Sequence, residues 1–179
     1  MVGKVVEVIR RERPDIILTF DPNGGYGHPD HIRIHQTTLE AYGAAGDPSR
    51  FPGQISSGLA PHRPHKLYYI AFPRSATREL IEAMKAANLD SDFTSMDPEQ
   101  FGVPDDELTT VLDVGAYAEI KERAALCHRT QIEGDQFFPW LPPQLRQRFL
   151  STEYLIRANP PLSPSRDALE EDLFSGLPL

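Results

Sequence analysis

Val2, Val5, Val6 and Ile9 recur at near-helical spacing while Lys4, Glu7, Arg10 and Arg11 fall on the opposite side. The chain therefore opens with an amphipathic helix, which must end before Pro14. The period then changes. Residues 15–20 form a short, mostly apolar run of β-formers closed by Asp21 and Pro22, the pattern of a buried strand in a parallel sheet. Glycines follow at 24, 25 and 27, and Pro29 suits the first position of a helix that can run to about residue 42. Helix followed by buried strand is α/β grammar. A polar loop at the carboxyl end of a strand is also where open α/β sheets take their ligands.

The alternation continues downstream. Residues 43–64 are rich in Gly, Pro, Ser and Ala, which predicts a long rim loop with no recognisable chemistry. Residues 66–72 read as a second strand, and residues 76–87, with Leu80, Ile81 and Met84, as a second amphipathic helix. An acidic loop carrying Asp92, Asp97, Asp105, Asp106 and Glu107 leads to a third strand over residues 108–114. A long helix is expected over 116–131 and another over 143–158. The Pro-rich stretch 160–179, with Glu170, Glu171 and Asp172, reads as a carboxyl-terminal tail packed loosely on the body. There is no internal repeat and no second domain, so residues 1–179 read as a single domain. The expected fold is a Rossmann-like three-layer α/β sandwich around a mostly parallel sheet.

Composition narrows the partners. The 179 residues are 40% hydrophobic and 25% charged, enough for a substantial core. The formal net charge is -8 and no run of Lys or Arg could track a phosphate backbone, which argues against nucleic acid. Cys127 is alone, so no internal disulfide can form, and a reduced, cytoplasmic setting is expected. Charges interrupt the apolar opening, and no run approaches the roughly 20 apolar residues that span a bilayer. The protein is expected not to be membrane-embedded.

The chemistry lies between residues 21 and 35. His28, His31 and His35 stand three and four residues apart, so on a helix beginning near Pro29 they share one face at its amino end. Clustered neutral imidazoles suit zinc, and a catalytic zinc takes about three protein ligands and a water. Asp30 could accept an imidazole N–H and fix its tautomer. Glycines at 24, 25 and 27 let the backbone approach a ligand closely. Tyr26 between them could donate its phenol to a developing oxyanion. The same residues also read as a plain helix cap, with Asp30 on the dipole and the histidines at the surface. Spacing leaves both readings open.

Residues 14–31, Pro-Asp-Ile-Ile-Leu-Thr-Phe-Asp-Pro-Asn-Gly-Gly-Tyr-Gly-His-Pro-Asp-His, resemble the second signature of the PIG-L, or LmbE-like, family of zinc-dependent deacetylases acting on N-acetylglucosaminyl compounds. Residues 106–114, the helix 121–131 with Cys-His-Arg-Thr-Gln, and residues 171–177 resemble later family segments in the usual order, closest to the branch acting on thiol-sugar conjugates. The resemblance implies removal of an N-acetyl group from a glucosamine-containing small molecule, with Zn2+ as cofactor. It makes His31 a zinc ligand and His28 the imidazole that stabilises the oxyanion and protonates the leaving amine. Asp30 becomes the partner that tunes an imidazole, and Tyr26 helps polarise the substrate carbonyl. Gly25 and Gln131 line the substrate pocket. His35 matches no family role and is read as a helix-face residue.

The family's other two zinc ligands and its general base sit in a His-Pro-Asp-Asp segment for which this sequence has no equivalent. The expectation is a carboxyl-terminal two thirds of a deacetylase, missing the first strands of its sheet and inactive as an isolated fragment. Such a chain should self-associate or accept a complementing amino-terminal chain through its open sheet edge. The competing reading is a non-catalytic remnant that binds sugar conjugates or a partner protein.

Overall fold

A computed structural model describes residues 1–88, 92–95, 97–99, 101–128, 142–162 and 169–178, with the side chains of 92 and 93 excepted. The elements run α1 (Val2–Glu12), β1 (Ile16–Phe20), a single turn α2 (Gly24–Gly27), α3 (Pro29–Ala45), α4 (Pro52–Ser56), β2 (Lys66–Ile70), α5 (Arg74–Ala86), β3 (Thr110–Asp113), α6 (Ala118–Leu126), α7 (Pro143–Ser151) and β4 (Thr152–Asn159), with short 3-10 turns between them.

The first half follows the sequence pattern closely. Arg13 adopts a left-handed conformation at φ 50° and stops α1 one residue before Pro14. The apolar stripe of α1 then meets α3: Val6 and Ile9 pack with Ala41, Ala44 and Ala45, and Val2, Val5, Ile17 and Phe51 seal the rim. The small alanines let the two helices approach, and β1 closes the cluster from below.

Helix α3 runs to Ala45, past the expected end near residue 42 and into the segment read as loop. Ala44 and Ala45 are good helix formers required in this core. Their carbonyls are also capped from outside by Arg10, a buried cation of α1. Its guanidinium donates to the backbone oxygens of Ala44, Ala45, Asp47, Arg50 and Phe51 and to the side-chain oxygen of Gln54. A positive group at a helix carboxyl end is favoured by the helix dipole, and these oxygens take the place of the water the cation has lost.

The α/β class holds, and the sheet is mixed rather than mostly parallel. Its order is β1-β2-β4-β3. Strands β1 and β2 are parallel, in register from Ile16 opposite Lys66 to Phe20 opposite Ile70, whereas β4 runs antiparallel to both β2 and β3. The connection explains the reversal. Helices α6 and α7 pack on each other around Leu150, with Ala118, Ala125 and Leu145 alongside. The pair returns the chain to the end of the sheet it had left, so β4 starts with Thr152 opposite Asp113 and retraces β3. A single crossover helix would have given a parallel strand instead.

The helix expected over 143–158 accordingly stops at Ser151. Thr152, Tyr154 and Ile156 are β-formers, and the ladder between β2 and β3 overrides the weak helical pattern. The helix expected over 116–131 starts at Ala118 after a 3-10 turn and ends at Leu126, capped at Cys127; residues 129–131 lie outside the described part. Among the described residues β1 borders the sheet, and Leu18 on it is 46% exposed, so this strand is less buried than its composition suggested.

Side chains alternate across β2. Tyr69 meets His35 of α3, ring centroids 5.1 Å apart, while Lys66 and Tyr68 point to the other face, where the tail reaches them. The tail is not loosely packed there. Glu170 pairs with Thr110 as a parallel bridge, and its carboxylate accepts from Lys66 Nζ at 3.2 Å, Arg157 Nη1 at 2.7 Å, Tyr68 Oη at 3.0 Å and Thr110 Oγ1 at 3.0 Å. Lys66 Nζ also donates to the carbonyls of Leu173 and Ser175. Tyr68 is wholly buried, and burial together with the Glu170 carboxylate pushes its phenol well above the usual value.

Candidate active site

The site forms where the parallel strands β1 and β2 end. Chain leaving β1 at Phe20 turns through Asp21, whose buried side chain holds the loop: Oδ1 accepts the Gly25 N–H at 2.7 Å, and the Asp21 carbonyl accepts from Gly24 N at 3.0 Å. Gly25 sits at φ 75°, ψ -72°, the geometry of a strained γ-turn that other residues rarely adopt. Gly24 is required more strictly. Its φ is +65°, and a Cβ there would come within 2.7 Å of the Ile32 nitrogen and 2.8 Å of the His31 Cβ. The loop thus lies directly on the first turn of α3.

His28 caps that helix. Pro29 occupies the first helical position, and His28 Nδ1 accepts the backbone N–H of Asp30 at 3.2 Å. A nitrogen that accepts a hydrogen bond carries no proton, so the neutral ring holds its proton on Nε2. His31 is in the opposite state. Its Nδ1 lies 3.1 Å from the Gly24 carbonyl, which can only accept, so Nδ1 carries the proton and Nε2 keeps a free lone pair. The His31 ring is stacked on Phe20, centroids 4.0 Å apart and planes 10° apart. The two imidazoles lie 5.0 Å apart. Tyr26, 53% exposed, stands edge-on to both, 5.1 Å from His31 and 6.1 Å from His28.

The structure therefore brings together Tyr26, His28, His31 and Gly25, as the sequence suggested. Asp30 is placed differently. Its carboxylate is 91% exposed and 4.0 Å from His28 Nδ1, a nitrogen already occupied by the Asp30 backbone. The group that fixes an imidazole here is the Gly24 carbonyl. The Gly25 N–H is likewise taken up by Asp21 and faces no ligand. His35 is buried, and its Nδ1–H donates to the Phe20 carbonyl at 2.7 Å; it ties α3 to the end of β1. Gln131 lies outside the described residues. Asp105, in the acidic stretch, holds the amino end of α5 by accepting from the Ser75 backbone and hydroxyl.

His31 presents Nε2 with its other nitrogen anchored, as metal-binding imidazoles commonly are. Among the described residues, however, no three His, Cys, Asp or Glu side chains converge on one point. They offer zinc one prepared ligand and not a coordination set.

Two positions were missed in the sequence. Asp21 had a readable signal, an Asp at a strand end that can bond its own loop four residues on. Gly24 had none of its own among three glycines; only contact with α3 singles it out.

A helix-flanked mixed sheet with a histidine-bearing glycine loop at the end of its parallel pair defines the class, an α/β protein. Residues 1–42 match the sequence profile of the PIG-L family, described as GlcNAc-PI de-N-acetylase. The chain is 39% identical over 182 residues to a 1D-myo-inositol 2-acetamido-2-deoxy-alpha-D-glucopyranoside deacetylase of Geodermatophilus obscurus, covering 99% of this chain and 60% of that one. It is 37% identical to the protein of the same description from Thermomonospora curvata, covering 97% and 58%. Its fold is similar to that of an N,N'-diacetylchitobiose deacetylase from Pyrococcus horikoshii, with a TM-score of 0.56 at 18% identity, over 87% of this chain and 50% of that one. The chain is thus similar to these deacetylases and spans about three fifths of the length of the relatives it matches. Among the described residues no helix is long and apolar enough to cross a membrane.

Proposed function

We propose that this chain carries the histidine side of an active site that hydrolyses the N-acetyl amide of a glucosamine-containing small molecule. The observation that carries the reading is the pair of imidazoles 5.0 Å apart whose Nδ1 hydrogen bonds call for opposite tautomers. One imidazole has a lone pair to give to a cation and its neighbour has a proton to give to an oxygen, which is what metal-assisted amide cleavage asks of two adjacent side chains.

His31 Nε2 would be one ligand of a zinc ion, which when bound would supply an activated water. His28 donates its Nε2–H toward the oxygen that gains charge as the amide carbonyl becomes tetrahedral. The proton that the attacking water gives up is the one the departing amine gains, so the neutral His28 ring need only hydrogen-bond and does not have to become an imidazolate. The Tyr26 phenol, edge-on to both rings and open to solvent, adds a second donor to the oxyanion. Asp21 and Gly24 act through His31: they hold the loop whose carbonyl keeps its Nδ1 protonated.

The test is acetate release from an N-acetylglucosaminide by the purified protein supplied with zinc. His31→Ala is expected to weaken whatever zinc binding the chain has and to lose turnover. His28→Gln should keep zinc and lose about 10²-fold in kcat, the usual effect of removing one oxyanion donor. Full zinc occupancy in His31→Ala overturns the ligand assignment, and absence of acetate release from any N-acetylglucosaminide overturns the activity.

A further inference from the structure

The proposed chemistry sits at the end of β1, and the neighbouring strand contributes a feature it does not use. β2 ends at Ile70, opposite Phe20, and two residues later Phe72 is 37% exposed. Its ring lies beside the active loop: a Cβ at Gly25 would stand 3.6 Å from Phe72 Cε2 and 3.9 Å from the Phe20 ring. Phe72 also packs with Phe101, centroids 6.2 Å apart.

The backbone behind it is held. Val103 N donates to the Phe72 carbonyl at 2.9 Å and Arg74 N to the Val103 carbonyl at 3.0 Å. Gly102, at φ +88°, fits under that carbonyl where a Cβ would come within 2.4 Å of the Phe72 oxygen. Aromatic rings thus line the site from His31 through Phe20 to Phe72 and Phe101, and the missing side chain at Gly25 leaves the gap between Phe20 and Phe72.

Small-ligand sites combine a few placed polar groups with an apolar or aromatic wall. The polar groups here are His31, His28 and Tyr26. The wall fits a ligand with one apolar, ring-shaped face, and a pyranose presents such a face in its axial C–H groups. We propose that Phe72 is the specificity wall that takes the pyranose ring of the substrate, distinguishing an N-acetylated sugar from an acyclic N-acetyl amine. The proposal rests on the reading of an N-acetylglucosaminide substrate and adds the residue that recognises the ring. Contact remote from the reacting amide is the same in ground and transition states, so it acts on KM and leaves kcat alone.

The test measures calorimetric binding of methyl N-acetyl-α-glucosaminide and of N-acetylethanolamine to the full chain, alongside acetate release, for the wild type, Phe72→Tyr and Phe72→Leu. Leucine keeps an apolar group against Gly25 and removes the flat face; tyrosine keeps the face. Phe72→Leu is expected to weaken glucosaminide binding about tenfold and to leave the acyclic amide unchanged, while Phe72→Tyr stays within about twofold of wild type. Equal glucosaminide affinity in Phe72→Leu and wild type, equal weakening of both probes, or no glucosaminide binding by the wild type each overturns the wall. Binding that depends on Phe72 without acetate release leaves the wall standing and removes the hydrolase. Acetate release indifferent to Phe72 does the reverse.

Discussion

Strand β2 has a polar cluster at each end, and the two differ in what their atoms still have to offer. At its start, Lys66, Tyr68, Thr110 and Arg157 converge on Glu170 in a buried group where the carboxylate already accepts four donors. At its far end, beside Phe72, the loop from β1 holds two imidazoles that each use one nitrogen internally and turn the other outward. The first cluster is closed around its carboxylate, with only the buried Arg157 Nε left without a partner among the described residues, and fastens the tail to the sheet. The second keeps a lone pair, a proton and a phenol in reserve. Charge and histidine content alone would not separate a structural cluster from a chemical one; the remaining hydrogen-bonding capacity does.

The contrast can be broken most severely at the closed end. Glu170→Ala leaves Lys66 and Arg157, with side chains 6% and 15% exposed, as buried cations without their carboxylate, and should cost about 3–5 kcal/mol in denaturant unfolding. Turnover per folded molecule should not change, because the cluster lies at the opposite end of the strand. At the open end the order of effects reverses. Gly24→Ala, strained at φ +65° and driven against α3, should cost about 1–3 kcal/mol. It should also weaken zinc binding, because the carbonyl that orients His31 moves.

Two smaller effects sharpen the boundary. Because Tyr68 titrates higher in the folded state than in the unfolded chain, its stabilising contribution is complete below the unfolded value near pH 10 and is lost as pH rises beyond it. Alkaline unfolding followed from about pH 9 upward should show this slope. Tyr68→Phe should flatten the slope while lowering neutral stability by about 1 kcal/mol. The smallest stability change belongs to His28→Gln, expected at about 0.5 kcal/mol because the ring is exposed and only its cap of α3 is lost. A large loss of stability there would place His28 with the closed cluster.

The amino-terminal half was legible because its signals are local. The stripe of Val6 and Ile9, the β-formers before Asp21 and the proline at position 29 each act within a few residues, and α1, β1 and α3 formed where they pointed. The site was legible for the same reason, as Tyr26, His28 and His31 lie in one short run. What escaped depends on distant chain. Nothing within residues 152–159 says that they will be sandwiched between β2 and β3, and nothing near Glu170 says that Lys66 waits for it. The expected role of Asp30 failed on a finer point: its own backbone N–H reaches His28 Nδ1 first and leaves its carboxylate facing water.

The buried guanidinium of Arg10 has a consequence for how this corner opens. It gathers carbonyls from residues 44–51 and the amide oxygen of Gln54, whose Nε2 in turn donates to the Gly3 carbonyl. Neither α1 nor the chain from Ala44 to Gln54 can detach while the other stays, since either movement strands the same cation. Amide hydrogen exchange should therefore find the two segments opening together with one free energy, a cooperative unit joined by a single side chain.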